Sequence, residues 1–159
     1  MRKFIGVIGA SQPPEELLPI AEKVGEEIAK RGGILICGGM GGIMEYACKG
    51  AKKVGGITVG IIPTMDRNSA NPYVDIPIVT GMGYARNIIV VLSSEAVIAI
   101  GGAFGTLTEL AFALHFNIPV VGIRTWRVES EHTEVKGIVY VDSPEEAVKI
   151  AMEGELECR

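Results

Sequence analysis

Aromatic side chains are scarce in this chain, at 6% of 159 residues with a single tryptophan, and there are only two histidines and three cysteines. Each scarcity excludes something. Cysteines at 37, 48 and 158 are odd in number and lack metal-site spacing, so reduced thiols are expected, with Cys37 a small core residue. His115 has no second histidine or cysteine at ligand spacing and is expected to pack on its helix, while His132 lies in a charged loop; no metal is expected. Charged residues reach only 21%, the net charge is −4, and no lysine or arginine cluster is present, so no nucleic-acid footprint is expected. No apolar run approaches the length of a membrane span. The apolar segment after Met1-Arg2-Lys3 is short for a signal peptide, and Pro13-Pro14-Glu15-Glu16 stands where a small-residue cleavage site would be. The expectation is therefore a cytoplasmic protein.

What the chain has in quantity is hydrophobic residues, 48%, and glycine, 21 residues. Apolar runs at Phe4–Ile8, Ile34–Cys37, Ile57–Ile62, Ala96–Ile100, Ile118–Ile123 and Gly137–Val141 read as strands. Pro77 demotes 74–80 to an edge or irregular strand. Helical periodicity follows most of them: Leu17 to Ile28 with Pro19 in its first turn, Ile43 to about Gly55, Tyr84 to about Ser93, Thr106 to Leu114, and a last helix capped by Ser143-Pro144-Glu145-Glu146. Ile88 to Leu92 leave the third of these without a polar face, so it is expected to be buried all round. Strands alternating with helices predict a single-domain Rossmann-like α/β fold, a doubly wound parallel sheet of about six or seven strands with helices on both faces. The domain is expected over residues 1–153, with 154–159 a frayed tail.

Right-handed crossovers place every strand-to-helix turn on the carboxyl edge of such a sheet, where open α/β sheets bind ligands. Three of those turns are rich in glycine: Gly9 to Ser11, then Gly38, Gly39, Gly41 and Gly42, and finally Gly101, Gly102, Gly105 and Thr106. Without Cβ atoms the backbone N–H groups approach a ligand closely, and a helix beginning near Thr106 presents unpaired amides with partial positive charge. That is an anion site, best suited to phosphate. Two structural readings stand beside it: glycine serving packing alone, and Thr106 with Glu109 forming a T-x-x-E capping box.

Arg86 lies in the first turn of the apolar helix, where the helix dipole disfavours a cation, so something acidic must answer it. It either pairs with Glu45 or Glu109 or aims a planar guanidinium at a bound phosphate. Asn87 bonds a ligand or the backbone. The ten residues 64–73, with Asn68, Asn71 and Tyr73, form a long loop, either solvated or a lid over a ring. None of the lysines falls in the three glycine turns, which sets aside pyridoxal-phosphate chemistry.

Gly101-Gly102-Ala103-Phe104-Gly105-Thr106-Leu107-Thr108-Glu109 resembles the G-G-x-G-T-x-x-E signature of the Rossmann-like "lysine decarboxylase-like" group that includes the Lonely Guy cytokinin-activating phosphoribohydrolases. Gly38 to Glu45 and Gly83-Tyr84-Ala85-Arg86-Asn87 look more like the branch of the molybdenum cofactor carrier proteins. The resemblance implies one cleft with two uses. In the carriers it holds a phosphorylated pterin-derived cofactor; in the hydrolases the arginine and glutamate, here Arg86 and Glu109, act where the N-glycosidic bond of a nucleoside 5′-monophosphate breaks. Asn87 replaces the lysine that follows the arginine in those hydrolases. The expectation is a carrier or binding protein for a phosphorylated small molecule, a nucleotide or the molybdenum cofactor, with no cofactor required; the alternative is a phosphoribohydrolase. The apolar helices and the resemblance together predict a homodimer or homotetramer.

Overall fold

A computed structural model describes residues 1–154; the expected C-terminal fraying lies almost wholly outside them. Seven strands form one parallel sheet in the order β4-β3-β2-β1-β5-β6-β7. They are β1 (Phe4–Gly9), β2 (Ile34–Cys37), β3 (Ile57–Ile62), β4 (Ile76–Val79), β5 (Ala96–Ile100), β6 (Val120–Ile123) and β7 (Ile138–Tyr140). Four α-helices lie between strands, α1 (Leu18–Lys30), α2 (Ile43–Lys53), α3 (Asn87–Leu92) and α4 (Phe104–His115), and α5 (Pro144–Glu153) follows β7. The expected doubly wound sheet is the one observed, with Pro77 confined to edge strand β4, opposite Gly60.

Side-chain alternation along the strands divides the core into two layers. Ile5, Val7, Leu35, Ile98 and Val121 pack with Ala21, Val24 and Ile28 of α1, Ala47 and Cys48 of α2, and Val148 of α5. On the opposite face Ile8, Ile36, Ile61, Val97 and Ala99 meet Val90 and Val91 of α3 and Leu110 and Ala113 of α4. Helices α1 and α2 approach until their backbones touch through glycine: a methyl group on Gly25 would collide with the Ala47 carbonyl, and one on Gly50 with that of Glu22.

Strand order reverses between β1 and β5, because the chain steps outward from β1 to β4 and then returns to β1's other side. Two successive turns leave that point in opposite directions, and the crevice between them is where an open α/β sheet takes a ligand.

Three local expectations need correction. Helix α4 begins at Phe104, two residues before Thr106, because the turn ends with extended backbone at Ala103, which is the N-cap and offers no side-chain bond. Thr106 is therefore inside the helix, and the Thr106–Glu109 capping box does not form. The segment expected as one apolar helix splits into a 3₁₀ turn (Gly83–Arg86) and the short α3, and it is not buried all round: Tyr84 and Leu92 are exposed and Ile88 and Ile89 half-buried. At α5 Ser143 caps as expected, accepting from the Glu146 N–H, but its own hydroxyl donates to Glu145 rather than completing a reciprocal box with Glu146.

Candidate functional site

At the carboxyl edge, over the reversal point, the β1, β2 and β5 turns and the 3₁₀ turn enclose a cleft of about 690 Å³. That volume lies within the ordinary range for small-molecule sites. The β1 turn contributes Gly9, Ala10, Ser11 and Gln12; the β2 turn and α2 contribute Met40, Gly41 and Met44; the β5 turn and α4 contribute Ala103, Gly105, Thr106 and Glu109. Pro63, Gly83, Tyr84, Arg86 and Asn87 close the remaining side. All three glycine turns thus meet, as the topology demanded.

Each candidate residue has a definite place. Gly9, Ser11, Gly41, Arg86, Asn87, Gly105, Thr106 and Glu109 line the cleft. Gly38, Gly39 and Gly42 stand behind it: the Gly38 carbonyl accepts from Arg86, the Gly39 N–H donates to Cys37 Sγ at 3.3 Å, and Gly42 is the N-cap of α2. Gly101 is also behind, its N–H donating to the Ile123 carbonyl and its own carbonyl accepting from Thr125. Gly102, at φ 120, turns the chain where a side chain would strike Thr106. Glu45 borders the rim, since a methyl group on Gly41 would stand 3.8 Å from Glu45 Oε2.

Two glycines have no need of being glycine for the fold. Neither Gly41 nor Gly105 has positive φ, and a methyl group there would meet nothing closer than 3.8 Å and 3.9 Å respectively. What it would occupy is the cleft. Beside Gly105, the N–H groups of Gly102 through Thr106 have no protein acceptor among the described residues, as the first turn of a helix without a capping side chain requires. Five acceptor-free amides therefore lead into a twelve-residue helix, and three of their residues, Ala103, Gly105 and Thr106, line the cleft.

Arg86 is 7% exposed. Its guanidinium donates to Asn87 Oδ1 and, at 3.3 Å, to the Gly38 carbonyl. Neither Glu45 nor Glu109 lies within ion-pair distance, so the structural pair weighed from sequence is absent among the described residues. Arg86 Nε is the one buried side-chain nitrogen or oxygen among the described residues with no partner. Leaving such a donor dry costs about 1–3 kcal/mol, more for a charged group. Burial pulls the arginine's pKa down, against the pull of Glu109. Glu109, also 7% exposed, accepts no hydrogen bond, and burial pushes it up to about 8 despite Arg86.

Asn87 is held from both sides, accepting from Arg86 and donating to Thr108 Oγ1 at 3.4 Å, which fixes α3 against α4. The 64–73 loop does not cover the cleft. Asn71 donates its side-chain amide to the Met40 carbonyl at 2.9 Å and its N–H to the Gly39 carbonyl at 2.8 Å, so the loop braces the β2 turn from behind. Sequence reasoning passed over the apolar lining, Met40, Met44, Pro63 and Tyr84, as well as Gln12. Such side chains carry no chemical signature, though Met40 lies inside a glycine turn and Tyr84 two residues before Arg86.

The SLOG cluster4 family model matches residues 2–148. Among solved structures, a molybdenum cofactor binding protein from Rippkaea orientalis is 38% identical with a TM-score of 0.86, covering 94% of this chain and 95% of that one. The Moco carrier protein of Chlamydomonas reinhardtii is 35% identical at TM-score 0.82, with 98% of both chains covered. A cytokinin riboside 5′-monophosphate phosphoribohydrolase of Mycobacterium marinum is 30% identical over 96% of this chain and 95% of its own length.

Proposed function

The chain belongs to the SLOG cluster4 family, within the Lonely Guy and molybdenum cofactor carrier group, and we propose that its cleft binds a phosphorylated small molecule as a carrier or binding protein. The observation that carries this reading is the pairing, in one cleft, of the acceptor-free amides of Ala103, Gly105 and Thr106 with a buried Arg86 that has no carboxylate within ion-pair distance among the described residues. A phosphate there meets the amides directly and the guanidinium through its charge, and the helix dipole favours its negative charge. Met40, Met44, Pro63 and Tyr84 supply an apolar wall for the other half of the ligand. A flat ring such as a purine or a pterin fits such a wall. Both a nucleotide and the molybdenum cofactor join a ring to a phosphate, and similarity to the Rippkaea and Chlamydomonas proteins favours the cofactor.

A second reading, a nucleoside 5′-monophosphate phosphoribohydrolase, is favoured by Glu109, a carboxyl buried in the cleft alongside Arg86, and by similarity to the mycobacterial enzyme. Under that reading the amides anchor the phosphate while Glu109 and Arg86 face the ribose. Asn87, in place of the hydrolases' lysine and bonded on both sides, favours the carrier.

The test is thermal denaturation with AMP, GMP and inorganic phosphate, followed by chromatography for free base. A carrier is stabilised by the monophosphates and releases no base, and Gly105→Val, which fills the cradle, removes the stabilisation while preserving the fold. Unchanged stabilisation in that variant would put the phosphate elsewhere. Base release that disappears in Glu109→Ala would replace the carrier with the hydrolase.

A further inference from the structure

Glu109 shares the cleft with Arg86 yet makes no ion pair with it. Glu109 projects from α4 into the cleft, 7% exposed, with no hydrogen-bond donor on either oxygen and no cation within 4 Å among the described residues. Groups from each element around it are few. The 3₁₀ turn brings Arg86, committed to Gly38 and Asn87, and Tyr84; the end of β2 brings the Cys37 thiol, which lies 3.5 Å from Cys48 Sγ. The rim of α2 brings Glu45, a like charge, and the β1 turn brings only Ser11 and Gln12. An incoming oxyanion adds more negative charge to the same space. An ionised Glu109 would repel it at short range in a medium far less polar than water, whereas a protonated one offers an O–H donor.

We propose that Glu109 meets the ligand as a neutral carboxylic acid, donating its proton in a hydrogen bond to the bound oxyanion, so that anion binding and protonation of this one side chain are linked. This rests on the anion-binding reading above and adds to it a selectivity. The cleft takes oxyanions that keep an unprotonated oxygen for Glu109 while others face the α4 amides and the charge of Arg86. Phosphate monoester dianions and sulfate meet that requirement. Burial agrees, holding the group at about 8, so the cleft is ready at neutral pH and must take up a proton only above that value.

Sulfate separates this from titration of the ligand, because sulfate does not titrate near neutrality. Its affinity for the full chain is measured by calorimetry from pH 6 to 9.5, and at pH 9 in buffers of different ionisation heat. The expected result is constant affinity up to about pH 7.5, then a fall of about tenfold between pH 8 and 9.5. At pH 9 the buffer dependence should report uptake of close to one proton. In Glu109→Gln, which keeps a donor and cannot titrate, affinity should not change over the same range. Equal falls in the wild type and the variant, or no proton uptake by the wild type at pH 9, would overturn the linkage while leaving anion binding intact. Absence of sulfate binding at pH 6 and above would overturn the anion site and the linkage together.

Discussion

Glu109 shows at the scale of one residue how a sequence motif hides its chemistry. T-x-x-E reads as a cap, and the structure instead buries the glutamate on α4, where it accepts no hydrogen bond among the described residues. The deciding residue is Ala103, whose extended backbone ends the turn and starts the helix early. No side-chain preference marks that position, so the sequence could not reveal it. A consequence for stability follows. A carboxyl raised from 4.5 to about 8 favours folding most below its ordinary value, and that contribution is lost as pH rises towards about 8, because the unfolded chain ionises first. Glu109→Gln should therefore match the wild type near pH 4.5 more closely than at pH 8, gaining on it through that window by an amount on the order of a few kcal/mol. Denaturant titrations at several pH values check this, and stability curves that run parallel would mean the buried carboxyl is already ionised.

At the scale of elements, strands and helices were legible because each strand is an apolar run and glycine ends helices α1 and α2 and precedes β7. The parallel doubly wound sheet and the convergence of three turns followed from that pattern with the right-handed crossover rule, and the edge position of β4 from Pro77; the strand order itself did not. Less legible was the splitting of the segment after Gly83, since an apolar run of five residues does not say whether its last members face core or solvent. The same limit applies to Gly25 and Gly50, whose place at the surface across which α1 and α2 touch no sequence pattern marks. Gly50→Ala gains helix propensity, worth up to about 1 kcal/mol. It also forces a methyl group into the Glu22 carbonyl, and overpacking of this kind typically costs about 1–3 kcal/mol. Net destabilisation is expected in chemical denaturation; a more stable variant would mean the two helices separate easily.

Across the whole molecule, function gathers at the place where the strand order reverses, and the candidate site divides into two kinds of surface. The polar half was visible in the sequence, because glycines, Arg86 and Glu109 are costly or unusual without a ligand. The apolar half, Met40, Met44, Pro63 and Tyr84, was not, since such residues are ordinary in any fold until a cavity brings them together. Among the described residues no helix is long and apolar enough to cross a membrane. A crystal soaked in sulfate and then in AMP measures the central claim most directly. Sulfate, and afterwards the nucleotide's phosphate, should lie within hydrogen-bond distance of amides between Gly102 and Thr106 and beside the Arg86 guanidinium, with the adenine against Tyr84 and the methionines. Density for the anion at another surface, with those amides facing only water, would contradict it.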